Sequence, residues 1–181
     1  MKTLIIHPQD RSTFFLDIVY KHVPEKTIVT GGVTRVELIN LILAHDRIMM
    51  LGHGTPDGLL NMGQFPDPSM FIIDRWMAPL LAEKDQNVFI WCNADQFVNR
   101  HRLKGFYSGM FISEVGEATY CGLPGTSQEL VDESNYGFCG ILGSVINEPK
   151  EAIFESVKEK YGLIAETNPV ALYNHQRLFK A

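Results

Sequence analysis

The chain has few cysteines: its 181 residues include only Cys92, Cys121 and Cys139. They form no CxxC pair and show no metal-ligand spacing, so neither a disulfide framework nor a bound metal is expected. No apolar run reaches the ~18 residues that cross a bilayer, so a membrane is not an expected partner. Positive charge is scarce as well. Sixteen Lys and Arg against twenty-one Asp and Glu leave a net charge of −5. That excludes broad basicity as a route to nucleic acid, and no nucleic-acid partner is expected, although a local basic groove is not ruled out. Neither GxGxxG nor GxxxxGK[ST] occurs, so a nucleotide phosphate loop has no support, and no cofactor is expected. Internal repeats, low-complexity tracts and long charge blocks are absent too. The apolar N-terminus stops at His7-Pro8, too short for the apolar centre of a secretion signal. A reducing cytoplasm is the expected setting.

What is present suits a globular α/β chain. Hydrophobic residues make up 45% and charged residues 20%, near the globular average. A chain of this length buries roughly 70% of the surface its unfolded form exposes. One domain over 1–181 is expected, with a core of about 1–123 and a mainly helical part over about 127–181.

The order of patterns is informative. Residues 3–6 form a short apolar run closed by Pro8, which predicts a buried strand. Residues 11–23 carry Phe14, Phe15, Ile18 and Val19 at helical spacing, with Ser12 as a candidate N-cap and Pro24 as a stop. A second strand is predicted at 27–30, a helix at 34–45 and a third strand at 47–51. Asp57-Gly58 is a turn signal, and 59–62 reads as a small hairpin arm. A helix with Pro79 inside it is predicted over 71–83, with Trp76 packed on the sheet. Residues 87–91 read as a fourth strand, 96–103 and 108–117 as helical, and 118–121 as a fifth strand ending at Cys121. Further helices are predicted at 148–160 and 169–179. This alternation predicts the α/β class, as a three-layer α/β/α sandwich around a mainly parallel sheet of five or six strands. Right-handed crossovers then bring every strand's C-terminal end to one edge, where ligands of such sheets bind.

Two strand ends carry reactive side chains. The third runs into Gly52-His53-Gly54 and the fourth into Cys92. A thiol hydrolase needs a thiol beside a base, and backbone N–H groups aimed at the developing oxyanion. On neighbouring strands, about 5 Å apart, an imidazole and a thiol reach one point above the sheet. Gly54, lacking a side chain, lets its backbone approach a substrate carbonyl.

The stretches Ile48-Met49-Met50-Leu51-Gly52-His53-Gly54 and Val88-Phe89-Ile90-Trp91-Cys92 resemble the paired strand motifs of the caspase-like cysteine peptidases. That group includes legumain, separase, gingipain, clostripain and the CHAT domains. Its shared pattern is an apolar strand ending in His-Gly, then an apolar strand ending in the nucleophilic Cys. A caspase His precedes its Cys by about 50 residues, comparable to the spacing here. The resemblance spans about residues 3–123, and only the two motifs are specific. It implies Cys92 as nucleophile, His53 as its base or imidazolium partner, and the N–H groups of Gly54 and Cys92 as the oxyanion hole. It also implies a dyad with no third carboxylate, and a peptide or protein substrate. The caspase Gln-Ala-Cys-Arg-Gly signature is replaced by Ile-Trp-Cys-Asn-Ala-Asp. Trp91 stands where a small residue is usual, and no glycine follows Cys92 closely.

Around this pair, Asn93 either supports the loop or contacts substrate. Asp95 either binds a basic substrate group or caps a helix beginning at Gln96. Arg100, His101, Arg102 and Lys104 form a basic cluster, either a solvated helix face or a site for an acidic peptide or phosphate. Cys139 reads as core. The Gly122–Ser127 stretch reads as a loop beside the cleft. Two other classes compete with the hydrolase: a catalytically inactive caspase-like binding or regulatory module, and a flavodoxin-like or response-regulator-like domain. The last lacks the acidic cluster expected after the first strand.

Overall fold

The central strands have no exposed face, and this sets the architecture. In the computed structural model, which describes residues 1–181, every residue of β1 (Thr3–Ile6) is buried. The same holds for β3 (Arg47–Leu51), β7 (Asn87–Ile90) and β8 (Gly105–Ser108). Continuous apolar runs of this kind need cover on both sides. With β2 (Lys26–Val29) and β9 (Leu178–Lys180) they form a six-stranded sheet in the order β2-β1-β3-β7-β8-β9. The first five are parallel, and β9 runs antiparallel to β8.

Alternate side chains go to opposite layers. Ile5, Met49, Leu51, Val88 and Phe106 pack with Val19 of α1 (Asp17–Tyr20), Phe138 and Leu142 of α6 (Gln128–Val145), and Val157 and Tyr161 of α7 (Lys150–Ala165). Leu4, Ile6, Ile48, Met50 and Phe89 pack on the other side. Their partners are Leu38 and Ile42 of α2 (Arg35–Ala44), Leu81 of α3 (Ala78–Ala82) and Phe97 of α4 (Ala94–His101). Each such side chain contributes about 1.5–3 kcal/mol of hydrophobic stabilisation. The result is an α/β sandwich with helices on both faces of a mostly parallel sheet.

A second, small antiparallel sheet follows His53: β4 (Gly54–Thr55), β5 (Gly58–Leu60) and β6 (Phe71–Ile73). Its hairpin turns through Pro56 and Asp57, one residue ahead of the Asp57-Gly58 signal, and Gly58 already begins β5.

Several elements differ from the pattern read along the chain. Residues 11–23 are not one helix. The Asp10 carboxylate accepts from the N–H groups of Ser12 and Thr13 at 2.9 and 3.1 Å, which holds 10–13 as a turn. Only a 3-10 turn, Phe14–Leu16, and the short α1 follow. Ser12 caps no helix. The stretch 71–83 splits into β6 and α3, so Pro79 falls in a first turn, where its missing N–H costs nothing. Trp76 lies in the connection, 69% exposed, with the Arg75 guanidinium 4.8 Å from its ring rather than on the sheet. The fifth parallel strand is Gly105–Ser108, and 118–121 belongs to α5 (Val115–Tyr120) and its C-terminal end. There the Glu117 carboxylate caps the helix start, and the cap outweighs the strand propensity of Thr119 and Tyr120. The C-terminal end is helical through α8 (Pro169–His175), and its last residues add β9 to the sheet edge.

The Trp91 indole packs in the core. Its ring centroid is 5.7 Å from those of Phe89 and Phe97, and Nε1 donates to the Thr55 carbonyl at 3.1 Å. A Cβ on Gly54 would sit 2.1 Å from Trp91 Cδ1. The indole thus locks the hairpin that follows His53. Gly54→Ala is expected to cost about 1–3 kcal/mol, from overpacking, in urea unfolding followed by tryptophan emission. An unchanged midpoint would show that the hairpin is not held by this contact.

Candidate functional site

Strand order reverses between β1 and β3, because the chain passes to β2 on one side of β1 and returns to β3 on the other. Crevices form beyond the strand ends at such a point. Here three neighbouring strands end together. His7 follows β1, Gly52-His53 follows β3 and Trp91-Cys92 follows β7. The last ladder pair of β3 and β7 is Leu51 with Ile90, so His53 and Cys92 each lie two residues past it. Both side chains line one cavity of about 20 Å³, with Thr13, Phe15, Phe111 and Ser113 among its other walls. That is room for about one water. No hydrogen bond joins the imidazole to the thiol.

The imidazole is engaged on its other side. His53 Nε2 lies 2.9 Å from Asp10 Oδ2 and 2.8 Å from Ser12 Oγ. The Ser12 hydroxyl donates to Asp10 Oδ1 at 2.8 Å, so it is committed as a donor. Nε2 therefore carries the ring proton and donates toward Asp10 and Ser12, which leaves Nδ1, free of partners in the fold, as the basic nitrogen. Burial raises the Asp10 carboxyl, but its Ser12 bonds, the His53 charge and Thr13 outweigh burial and hold it below its ordinary value. Asp10 and Ser12 were missed as site residues in the sequence. The available signal was the Asp10-Arg11-Ser12-Thr13 turn directly after the first strand.

Behind them sits His7, fully buried. Its Nδ1 is 3.0 Å from the Tyr20 hydroxyl, and Nε2 has no well-formed hydrogen bond. Burial lowers its pKa to about 4, against upward pulls from the Thr13 backbone and Asp10.

Cys92 sits in the turn from β7 into α4. Asn93, the next residue, is left-handed with φ 66° and ψ 29°. Asn tolerates that region better than most residues, and it makes the sharp strand-to-helix turn without a glycine. The Asn93 N–H donates to the Gly109 carbonyl at 3.0 Å, while the Cys92 N–H takes part in no backbone hydrogen bond. Asn93 thus supports the loop, and its side chain makes no hydrogen bond.

The thiol is engaged by groups other than the imidazole. Sγ lies 3.3 Å from the Phe111 carbonyl and 3.7 Å from Glu117 Oε1. Burial first, and the Glu117 charge second, push the Cys92 pKa up to about 12. Glu117 is a third site residue that the sequence reading does not single out. Its Oε2 accepts from Ser113 N at 2.7 Å and from Glu114 N at 3.2 Å, and the Ser113–Glu117 spacing at a helix start was its signal.

Other candidates lie apart or have structural roles. Asp95 is in the first turn of α4, not at its cap, because the helix starts at Ala94. Its Oδ1 is buried without a partner. Arg100 pairs with Asp57 at 2.7 Å and Lys104 with Asp85 at 3.5 Å, as a solvated face does. Cys121 ends α5 rather than a strand, and Cys139 is core. No three His, Cys, Asp or Glu side chains gather in a way that would hold a metal ion. No helix is long and apolar enough to cross a membrane.

No protein-family description, curated protein or solved structure matches the chain.

Two outcomes follow from these geometries. Iodoacetamide labelling of Cys92 against pH, read by mass spectrometry, is expected to have its midpoint near 12 in the native protein. Glu117→Gln is expected to lower that midpoint and to raise the labelling rate at about pH 8.5 by roughly tenfold. An unchanged profile in the variant would show that Glu117 does not control the thiol. His7 tests the network electrostatics. Its folded pKa of about 4 lies below the ordinary 6.5, so between these values the unfolded chain binds the extra proton. Stability therefore falls as pH drops from about 6.5 to about 4, by up to about 3 kcal/mol. Asp10, with its depressed pKa, adds a loss only at still lower pH. In urea titrations, His7→Gln should flatten the upper window, and an unaltered slope would assign it to other groups.

Proposed function

We propose that the protein is a caspase-like cysteine hydrolase that cleaves peptide bonds, with Cys92 as nucleophile and His53 as its base. The supporting observation is that His53 and Cys92, each two residues past the same ladder pair, line one cavity at the C-terminal edge of the parallel strands. Asp10 on Nε2 adds to this reading, because it leaves Nδ1 free. It supplies an orienting carboxylate, which a bare dyad lacks.

In the reaction, the thiol leaves Phe111 and Glu117 and transfers its proton to His53 Nδ1. Sγ attacks the substrate carbonyl carbon. The oxyanion is held by the unoccupied N–H of Cys92, with Gly54 as second donor. His53 returns the proton to the leaving amine, and the acyl group stays on sulfur as a thioester. Water, deprotonated by His53, then releases the acid and restores the thiol.

A second reading, an inactive caspase-like binding or regulatory module, is favoured by one observation. The thiol is held protonated beside Glu117, the reverse of a poised nucleophile.

A mixed peptide library digested with the protein and read by mass spectrometry separates the two. For the hydrolase, Cys92→Ala abolishes cleavage, and His53→Ala and Asp10→Asn each reduce it, the former by about 10²–10⁴-fold. Absence of any Cys92-dependent product, in native protein and in Glu117→Gln alike, decides for the module.

A further inference from the structure

Beside the His53–Cys92 cavity lies a much larger cleft, of about 870 Å³. The two share Phe15 and Ser113 as walls, and Ser12, which bonds His53, lines the larger one. One side of the cleft is the turn after β1, with Arg11, Phe14 and Phe15. The other is the start of α5 and the first half of α6, with Glu114, Asp132, Asn135 and Tyr136.

The chemistry of these walls favours a cation. Glu114 and Asp132 are in no ion pair, and the Gln128 amide at 2.8 Å is the only side chain that bonds Asp132. Three aromatic rings frame the same space. Phe14 and Tyr136 are 55% and 56% exposed, far more than stable packing requires, and Phe15 meets Tyr136 edge-on at 6.4 Å. Aromatic faces attract ammonium and guanidinium groups and cover their aliphatic stems. Asn135 supplies an independent sign of a missing donor. It is 4% exposed, its Nδ2 donates to the Ser113 carbonyl at 2.9 Å, and its Oδ1 has no partner. A buried acceptor left open is costly, and a donor carried by an occupant of the cleft would satisfy it. Arg11, also in no ion pair, stands on the opposite wall next to Asp10. With two carboxylates against one guanidinium, the lining keeps a net negative charge.

We propose that this cleft is a specificity subsite for the basic side chain, arginine or lysine, of a peptide substrate. The cation lies between Glu114 and Asp132, its stem lies against Phe14 and Tyr136, and Arg11 faces the peptide's carbonyl oxygens. The inference deepens the hydrolase reading and rests on it for the role of the neighbouring Cys92.

Binding and cleavage are tested apart. Short capped peptides identical except for one residue (Arg, Lys, citrulline, Ala or Asp) are titrated against the full chain carrying Cys92→Ala, by fluorescence anisotropy. The expected result is at least about tenfold tighter binding of the Arg and Lys peptides than of the isosteric, uncharged citrulline peptide. Glu114→Gln with Asp132→Asn erases that difference, and added salt weakens it. Equal affinity for Arg and citrulline peptides overturns the proposal. So does no binding of any peptide, or a preference for Asp that Arg11→Ala removes. Cleavage is then measured on the native protein. Charge-dependent binding without cleavage keeps the subsite and removes the hydrolase. Cleavage without a basic preference keeps the hydrolase and removes the subsite.

Discussion

Burial along the whole length of β1, β3 and β7 is the constraint on which the site depends. A strand covered on both faces has no side chain to spare for chemistry, so reactive groups can stand only beyond its end. The parallel register does the rest. Ile6 pairs with Met50, and Leu51 with Ile90. The first polar residues past these pairs are His7, His53 and, beyond Trp91, Cys92. Three neighbouring strands thus deliver two imidazoles and a thiol to one edge, where Asp10 and Ser12 from the turn after β1 bond His53. The Trp91 indole, packed under Gly54, then fixes the hairpin that leaves this edge.

Two carboxylates divide control of the reactive pair. Asp10 comes from the turn after β1 and acts on His53. It fixes the tautomer. Glu117 comes from the start of α5 and acts on Cys92, where its charge adds to burial in keeping the thiol protonated. The same Glu117 carboxylate caps its own helix through Ser113 and Glu114. Release of the thiol is therefore coupled to the stretch between Gly109 and α5, which also forms one wall of the large cleft. A peptide settling against Ser113 and Glu114 would disturb the contacts that hold Sγ.

How much of this was legible in the sequence depends on range. The strand ends at His53 and Cys92 were legible because their runs are apolar, short and closed by Gly or by a polar residue. The α/β class followed from the alternation of such runs with helical spacings. What was hidden depended on contacts across the chain or on caps. Ser12 reads as an N-cap until Asp10 and His53 are seen to claim its hydroxyl. Residues 118–121 read as a strand because Thr and Tyr favour one, yet the Glu117 carboxylate just before them starts a helix. Trp76 fits an amphipathic helix whose first turns turn out to be β6. The strand at 178–180 carries Leu and Phe but has no partner legible nearby, since β8 lies far earlier in the chain. Asn93 replaced the expected glycine after Cys92 because Asn also enters the left-handed region.

The most direct measurement of the central claim is covalent capture at the thiol. The protein is incubated with a pool of short peptides ending in a thiol-reactive acyloxymethyl ketone, and the modified residue is located by mass spectrometry. If His53 and Cys92 form one hydrolytic site, the adduct forms on Cys92 and not on Cys121. It then depends on the peptide portion and is lost in His53→Ala. Labelling that favours Cys121, or that leaves Cys92 unmodified in both native protein and Glu117→Gln, would contradict the claim.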